Sequence, residues 1–133
     1  GTTVNVPLPE DAGDLAIVNA FENILVPAVE WFDPELILVS AGMDAHRTEL
    51  CLNMSYDGYS ALTGIVQRLA DQYCDGRLVM VLEGGYNPDT LAKCTRRVLE
   101  VMAGGEPAGV REPGVAEVAE IAEFHRSAFA DME

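Results

Sequence analysis

Residues 36–50, LILVSAGMDAHRTEL, decide the fold class of this chain. The run up to Ala41 is almost wholly apolar, which is typical of a strand buried on both faces of a parallel sheet. The chain then turns at Gly42 and presents Asp44 and His46. Because ligands of such sheets lie beyond the carboxyl ends of the strands, we expect this carboxylate and this imidazole to border a site.

The same arrangement occurs again further along the chain. Residues 77–83, RLVMVLE, have the same buried character, and GGYN follows them. Asn87 is a plausible N-cap and Pro88 suits the first helical position. Tyr86 therefore lies just past a strand end, as Asp44 does, and two consecutive strands can direct both residues into one cleft.

Strands and long helices alternate along the sequence. We predict a first strand over residues 2–8 and four helices, which begin at Leu15, after Ser55, at Pro88 and near residue 115. Asp14 can cap the first helix, and Pro27 should kink that helix or loosen its last turn. The order β-α-β-α-β-α-α predicts one α/β domain with a parallel sheet of about three strands and with four helices.

Composition excludes several classes of protein. The 133 residues carry a net charge of −14, so nothing here would neutralise the phosphates of a nucleic acid. No unbroken apolar run approaches the roughly 20 residues of a membrane span, and we see no signal peptide at the start. The three cysteines are widely spaced and lack a C-x-x-C motif, so we expect reduced thiols in a cytoplasmic protein.

Asp44 and His46 leave several kinds of chemistry open. A carboxylate beyond a buried strand can be a metal ligand, a general base or a loop cap. The spacing Asp-x-His would also suit a two-ligand metal motif, but no clear third or fourth ligand accompanies it. His125 lies in the middle of a predicted helix, and we expect it to be a partly buried helix histidine.

Residues 83–87, EGGYN, are the more unusual feature. Gly84 and Gly85 let the backbone approach a ligand closely or adopt positive φ. The Tyr86 hydroxyl can then donate a hydrogen bond to a developing oxyanion. Alternatively, the glycines only form a tight strand-to-helix turn over which Tyr86 packs. The stretch is neither a phosphate-binding loop nor a G-x-S-x-G elbow.

Four stretches together resemble one family: TVNVPLP, FDPELILVSAGMDAHR, LNMSYDGY and LVMVLEGGYNPDTLA. In this order and at these separations they are similar to the zinc-dependent deacetylases of the histone deacetylase and acetylpolyamine amidohydrolase superfamily. They look closest to its bacterial class II-like members. The resemblance covers about residues 2–103. It implies an arginase-like three-layer α/β sandwich, of which residues 1–133 would be the C-terminal part.

The resemblance also implies a role for individual residues. Asp44 matches the last metal-binding carboxylate of the family, and Tyr86 matches the tyrosine that stabilises the tetrahedral intermediate. Gly84 and Gly85 match the glycines that line the substrate channel, with Leu50 as the best match for the leucine at its border. His46 occupies a position that is not a metal ligand in the family.

The chain also departs from the family's pattern. The first two metal ligands of the family, an Asp-x-His pair, precede NVPLP, and its His-His general base lies further upstream; nothing here matches them. The loop RTELCLNM looks shorter than the corresponding family loop, and Met43 replaces the commoner Phe.

The resemblance implies a fragment of a metal-dependent deacetylase that hydrolyses acetyl-lysine or acetylpolyamine amides. The complete enzyme would use Zn²⁺, or Fe²⁺, whereas this chain would be inactive and hold no metal stably. We also expect a homo-oligomer formed through an exposed sheet edge or bare apolar faces. The alternative is a non-catalytic α/β module that binds a partner or a small ligand near Tyr86.

Overall fold

The structure, a computed structural model, describes residues 3–110, 120–125 and 127. Helix α1 (Asp14–Ala20) continues through a π-helical turn (Phe21–Leu25) into α2 (Val26–Phe32). Strand β1 (Ile37–Ala41), a 3-10 turn (Met43–Ala45), helix α3 (Tyr56–Tyr73), strand β2 (Leu78–Leu82) and helix α4 (Pro88–Met102) follow. Residues 120–125 are helical, and the rest of the helix predicted near 115–130 falls mostly outside the described residues.

The two strands form a parallel sheet. Ile37 pairs with Leu78 and the register runs to Ala41 opposite Leu82. Side chains alternate across a strand, and within the described residues one face of the sheet packs on the helices while the other does not. Ala41 and Met80 contact the core on the packed face. On the other face Leu38 is 65% exposed, so the prediction of a sheet covered on both faces does not hold among the described residues.

The prediction of a strand over residues 2–8 is wrong for residues 3–8, which have no sheet pairing. Val6 and Leu8 instead pack against a cluster of small buried residues: Ala12, Ala16 and Ala20. Pro7 lacks an amide hydrogen, as does Pro9 beyond it, so this segment offers few donors to a sheet. It crosses the first helix instead. The described part of the chain therefore contains two strands rather than about three.

Asp14 does not cap the first helix, contrary to the prediction. Gly13 is the N-cap, and Asp14 lies in the first turn. Its carboxylate accepts hydrogen bonds from the Ser55 amide (2.6 Å) and the Ser55 hydroxyl (2.5 Å). Ser55 in turn caps α3 through its side chain, as predicted. Asp14 thus joins the start of the first helix to the start of α3.

The predicted loosening of the last turn by Pro27 does not occur, and a π-helical turn lies before Pro27 instead. The π-helical turn Phe21–Leu25 comes directly before α2, in whose first turn Pro27 lies. Proline has no N–H to donate to the carbonyl one turn back, so the ladder widens there. The helix nevertheless continues to Phe32.

By length and hydropathy, Asp14–Phe32 is the one helix among the described residues that could cross a membrane. This is weak evidence, because core helices of water-soluble proteins meet the same criteria. Ala16, Ile17, Ala20 and Ile24 of this helix are buried within the protein.

Candidate functional site

Asp44 follows β1 in the 3-10 turn, and its carboxylate lies against two glycines. A Cβ added at Gly42 would lie 2.6 Å from Asp44 Oδ1, and one added at Gly84 would overlap the same carboxylate. The Asp44 carboxylate therefore occupies space that is free because Gly42 and Gly84 have no side chains. Asp44, after the first strand, and the glycine loop, after the second, therefore lie side by side.

The backbones of the two loops are also joined directly. The Met43 amide donates to the Gly84 carbonyl at 2.8 Å. Gly85 has φ of +129°, a conformation that side chains rarely adopt, and a Cβ there would lie 2.9 Å from Leu91 Cδ1. Both glycines are thus required by close packing and backbone conformation, which the tight-turn alternative also explains.

Glu49 connects the first loop to the residues that follow the glycines. Its carboxylate accepts from the Asn87 amide at 2.8 Å and from the Tyr86 amide at 3.2 Å to each oxygen. Asn87 caps α4 as predicted, and its side chain accepts from the Asp89 and Thr90 amides. Sequence reasoning missed Glu49. A carboxylate in the loop facing a predicted helix N-terminus was the signal that could have found it.

His46 is buried, and its ring contacts Tyr56 and Thr48. It is 3% exposed, and its ring stacks on Tyr56 with centroids 4.5 Å apart. Nδ1 accepts from the Thr48 amide at 3.3 Å and lies 3.0 Å from the Thr48 hydroxyl. That hydroxyl is 2.9 Å from the hydroxyl of Thr90 on α4. Burial, followed by the charge of Arg47, lowers the pKa of His46.

Two further titratable groups lie beneath the loops and remain uncharged. Burial raises the pKa of the Cys94 thiol to about 11, and the charge of Glu49 adds to that shift. Burial also raises the pKa of the Tyr59 phenol, with contributions from Cys94 and Asp44. All three cysteines are free thiols, as predicted, and only Cys51 is exposed.

The remaining predicted site residues lie at the rim. Tyr86 is 72% exposed and Leu50 is 68% exposed. The Leu50 amide lies 3.5 Å from the Asp44 carbonyl, and Glu49 beside it bonds to the Tyr86 amide. The structure therefore brings the loops that carry Asp44, Leu50, Gly84 and Tyr86 together. His125 is partly buried in its helix, as expected, and its Nε2 lies 3.0 Å from the Asn5 carbonyl oxygen.

Among the described residues, Asp44 is not grouped with enough further ligands to bind a metal ion. No group of three or more His, Cys, Asp or Glu side chains there could hold an ion. An open catalytic zinc site takes about three protein ligands. The described residues therefore do not make a zinc site by themselves.

Comparison with known proteins decides the family. The histone deacetylase domain matches residues 1–102, which is most of the chain. The chain belongs to the histone deacetylase family. It is 46% identical over 94 residues, 69% of its length, to histone deacetylase 14, chloroplastic, from Arabidopsis thaliana. It is 38% identical to a probable deacetylase of Archaeoglobus fulgidus over 85% of its length.

Solved histone deacetylases share the fold. The chain superposes on the histone deacetylase Clr3 with a TM-score of 0.83 over 97% of its length, at 24% identity. This confirms the predicted deacetylase-like α/β fold, although the described residues contribute two of its strands. The chain spans 22% of the Arabidopsis relative, 32% of the archaeal relative and 22% of Clr3. It therefore corresponds to a minor part of each of these deacetylases.

Proposed function

We propose that this chain supplies one side of the active site of a metal-dependent deacetylase. The reaction is the hydrolysis of an acetyl amide, of the acetyl-lysine or acetylpolyamine type. The observation that supports this best is the contact between the Asp44 carboxylate and Gly84. It unites the carboxylate that matches the family's metal ligand with the loop that carries Tyr86.

Each site residue has a separate task in this proposal. Asp44 provides one ligand of a Zn²⁺ ion, or of Fe²⁺, whose other ligands lie outside these 133 residues. The Tyr86 hydroxyl donates a hydrogen bond to the oxyanion that forms from the amide carbonyl. Gly84 and Gly85 line the channel for the acylated amine, and Leu50 borders its entrance. When bound, the metal supplies a Lewis acid for amide hydrolysis.

The chain alone is inactive in this proposal. One carboxylate does not hold zinc tightly, and Tyr86 then has no polarised carbonyl to act on. Metal analysis after dialysis should therefore find far less than one zinc per chain. An acetyl-lysine release assay at high protein concentration with added zinc should show no turnover. A rate that disappears in Tyr86→Phe would contradict this and would indicate a site formed by these residues alone.

The alternative is a non-catalytic α/β module that binds a partner or a small ligand near Tyr86. The 72% exposure of Tyr86, which leaves its ring open to a partner, is the observation that supports it. The reading frame upstream of Gly1 distinguishes the two proposals. Asp-x-His and His-His motifs in that frame would support the enzyme, whereas a natural start codon directly before Gly1 would support the module.

If the frame continues upstream, the longer protein tests the residue roles. Tyr86→Phe should lower kcat by about 100-fold or more, the usual effect of removing one donor to an oxyanion. Tyr73→Phe, at the end of α3, is the matched control and should leave kcat unchanged. Equal rates for Tyr86→Phe and the unaltered protein would exclude the role proposed for Tyr86.

A further inference from the structure

We propose that Glu49 is a positioning residue that sets the orientation of Tyr86 through the backbone. The inference rests on the oxyanion role proposed for Tyr86 above. Glu49 reaches no reacting atom in this proposal. Its carboxylate holds the two peptide groups from which the Tyr86 side chain projects.

The carboxylate of Glu49 bonds to the segment that carries Tyr86. Its carboxylate accepts from the Tyr86 amide at 3.2 Å and from the Asn87 amide at 2.8 Å. Hydrogen bonds from backbone amides to a carboxylate are charge-assisted and stronger than neutral ones. The N-terminus of α4 follows directly, and its dipole favours an anion at this place. Glu49 therefore binds the loop with both hydrogen bonds and charge.

The hydrogen bonds of the Glu49 carboxylate do not serve to cap α4. The side chain of Asn87 already accepts from the amides of Asp89 and Thr90 in the first turn. Glu49 accepts instead from the two amides that precede the helix. Its hydrogen bonds thus fix the segment between Gly85 and Pro88, which the cap does not reach.

Tyr86 depends on its backbone for its orientation. The residue is 72% exposed, so contacts with neighbouring side chains cover little of the ring. Gly85 before it has φ of +129° and a broad choice of other conformations. An acceptor that holds the Tyr86 amide removes that freedom and selects one direction for the phenol.

Glu49 is itself held firmly enough to do this. Its amide donates to the carbonyl of buried His46 at 2.8 Å. Thr48 beside it bonds to Thr90 on α4 through the two hydroxyls. The loop therefore meets α4 at two points, and Glu49 transmits the position of this fixed loop to Tyr86.

Hydrogen exchange on the 133-residue chain tests the positioning without requiring activity. Glu49→Ala should speed exchange of the Tyr86 and Asn87 amides by about tenfold or more, because a charge-assisted bond is lost. Glu49→Gln keeps one neutral acceptor and should give an intermediate rate. Glu83→Gln removes one charge beside the same loop, from an exposed side chain, and should leave both amides unchanged. Exchange in the core of α3 should stay constant in all variants.

Unchanged exchange at both amides in Glu49→Ala would overturn the proposal. Faster exchange throughout the molecule would overturn it too, since Glu49 would then stabilise the fold in general. Because exchange is independent of turnover, these outcomes stay separate from a failure of the proposed deacetylase function.

A double-mutant cycle in the longer, active protein tests the link to the reaction. Glu49→Ala should lower kcat about tenfold with little change in KM, and Glu49→Gln should recover part of the loss. In the Tyr86→Phe background, Glu49→Ala should lower kcat no further, because its effect passes through the phenol. Equal losses in both backgrounds would show that Glu49 acts independently of Tyr86 and would contradict the proposal.

Discussion

The Asp44 carboxylate occupies space that a side chain at Gly84 would need. A substituent at Gly84 would overlap it, as would one at Gly42, so both neighbours must be glycine for the carboxylate to keep its place. Gly109 offers a contrast, since a Cβ there meets nothing within 4 Å. The effect of one added methyl group can therefore report the position of Asp44.

Gly84→Ala should lower the free energy of unfolding by about 1–3 kcal/mol, the usual effect of overpacking. The loss should fall below about 1 kcal/mol when Asp44→Ala is combined with it, because the overlap is then removed. Urea unfolding measures both values, with Gly109→Ala as the nearly neutral control. Equal losses with and without Asp44 would mean that the carboxylate does not lie against Gly84.

The buried thiol of Cys94 should make stability depend on pH in the alkaline range. Its pKa is about 11 in the folded chain, against 9.0 for an unperturbed thiol. Between these values the unfolded chain binds fewer protons than the folded chain, so the contribution is complete below pH 9 and is lost as pH rises. At pH 10 the loss is on the order of 1 kcal/mol.

Cys94→Val removes this titration and serves to isolate it. Unfolding by urea at pH 8 and at pH 10 should show a smaller decline for Cys94→Val than for the unaltered chain. Cys51→Val, at an exposed thiol, should decline as the unaltered chain does. A decline of the same size in all three proteins would contradict the burial of the Cys94 thiol as the cause.

At the scale of the elements, one carboxylate joins two helices. Asp14 opens the first helix and accepts from both the amide and the hydroxyl of Ser55, the residue that caps α3. Ser55 thus donates to one helix and accepts from the other. Removal of the Asp14 carboxylate should therefore destabilise the starts of both helices.

Asp14→Ala should lower the free energy of unfolding by about 1–3 kcal/mol, because two donors of Ser55 lose their acceptor. Asp71→Ala, at an exposed position on α3, should change it by less than about 0.5 kcal/mol. In a Ser55→Ala background, Asp14→Ala should lower the free energy of unfolding by a smaller amount. Thermal and urea unfolding measure these losses. A loss for Asp14→Ala as small as that for Asp71→Ala would contradict the proposed link between the two helices.

At the scale of the whole molecule, the described residues leave one face of the sheet bare and one of its edges unpaired. Leu36, Leu38, Val79 and Val81 are all 46% to 65% exposed. Within the described residues β1 pairs with β2 alone, and residues 3–8 do not cover its other edge. Such edges and apolar patches associate with other chains, because association pairs the open backbone groups and removes the apolar side chains from water.

We therefore predict that the chain forms a homo-oligomer through this surface. Sedimentation at micromolar concentration should show species larger than a monomer. Leu38→Lys should shift them towards monomer, whereas Leu99→Lys, at an exposed position of α4, should not. A compact monomer at all concentrations would prove this prediction wrong.

Local pattern determined much of this protein by itself. The apolar runs located β1 and β2, and the caps Ser55 and Asn87 located α3 and α4, because these signals lie within a few residues of one another. The family motifs supplied the deacetylase-like fold, which the comparisons confirmed. They also supplied the site roles of Asp44 and Tyr86, which stay predictions.

Only the tertiary structure decided which polar groups meet. Asp14 was expected to cap its own helix, yet it bonds to Ser55, 41 residues away. Glu49 bonds to the Tyr86 amide, 37 residues away, and residues 3–8 lie on a helix rather than in the sheet. Hydrogen bonds need donor and acceptor within about 3 Å at a suitable angle. Sequence spacing does not specify such geometry between distant segments, so packing of the whole chain selected these partners.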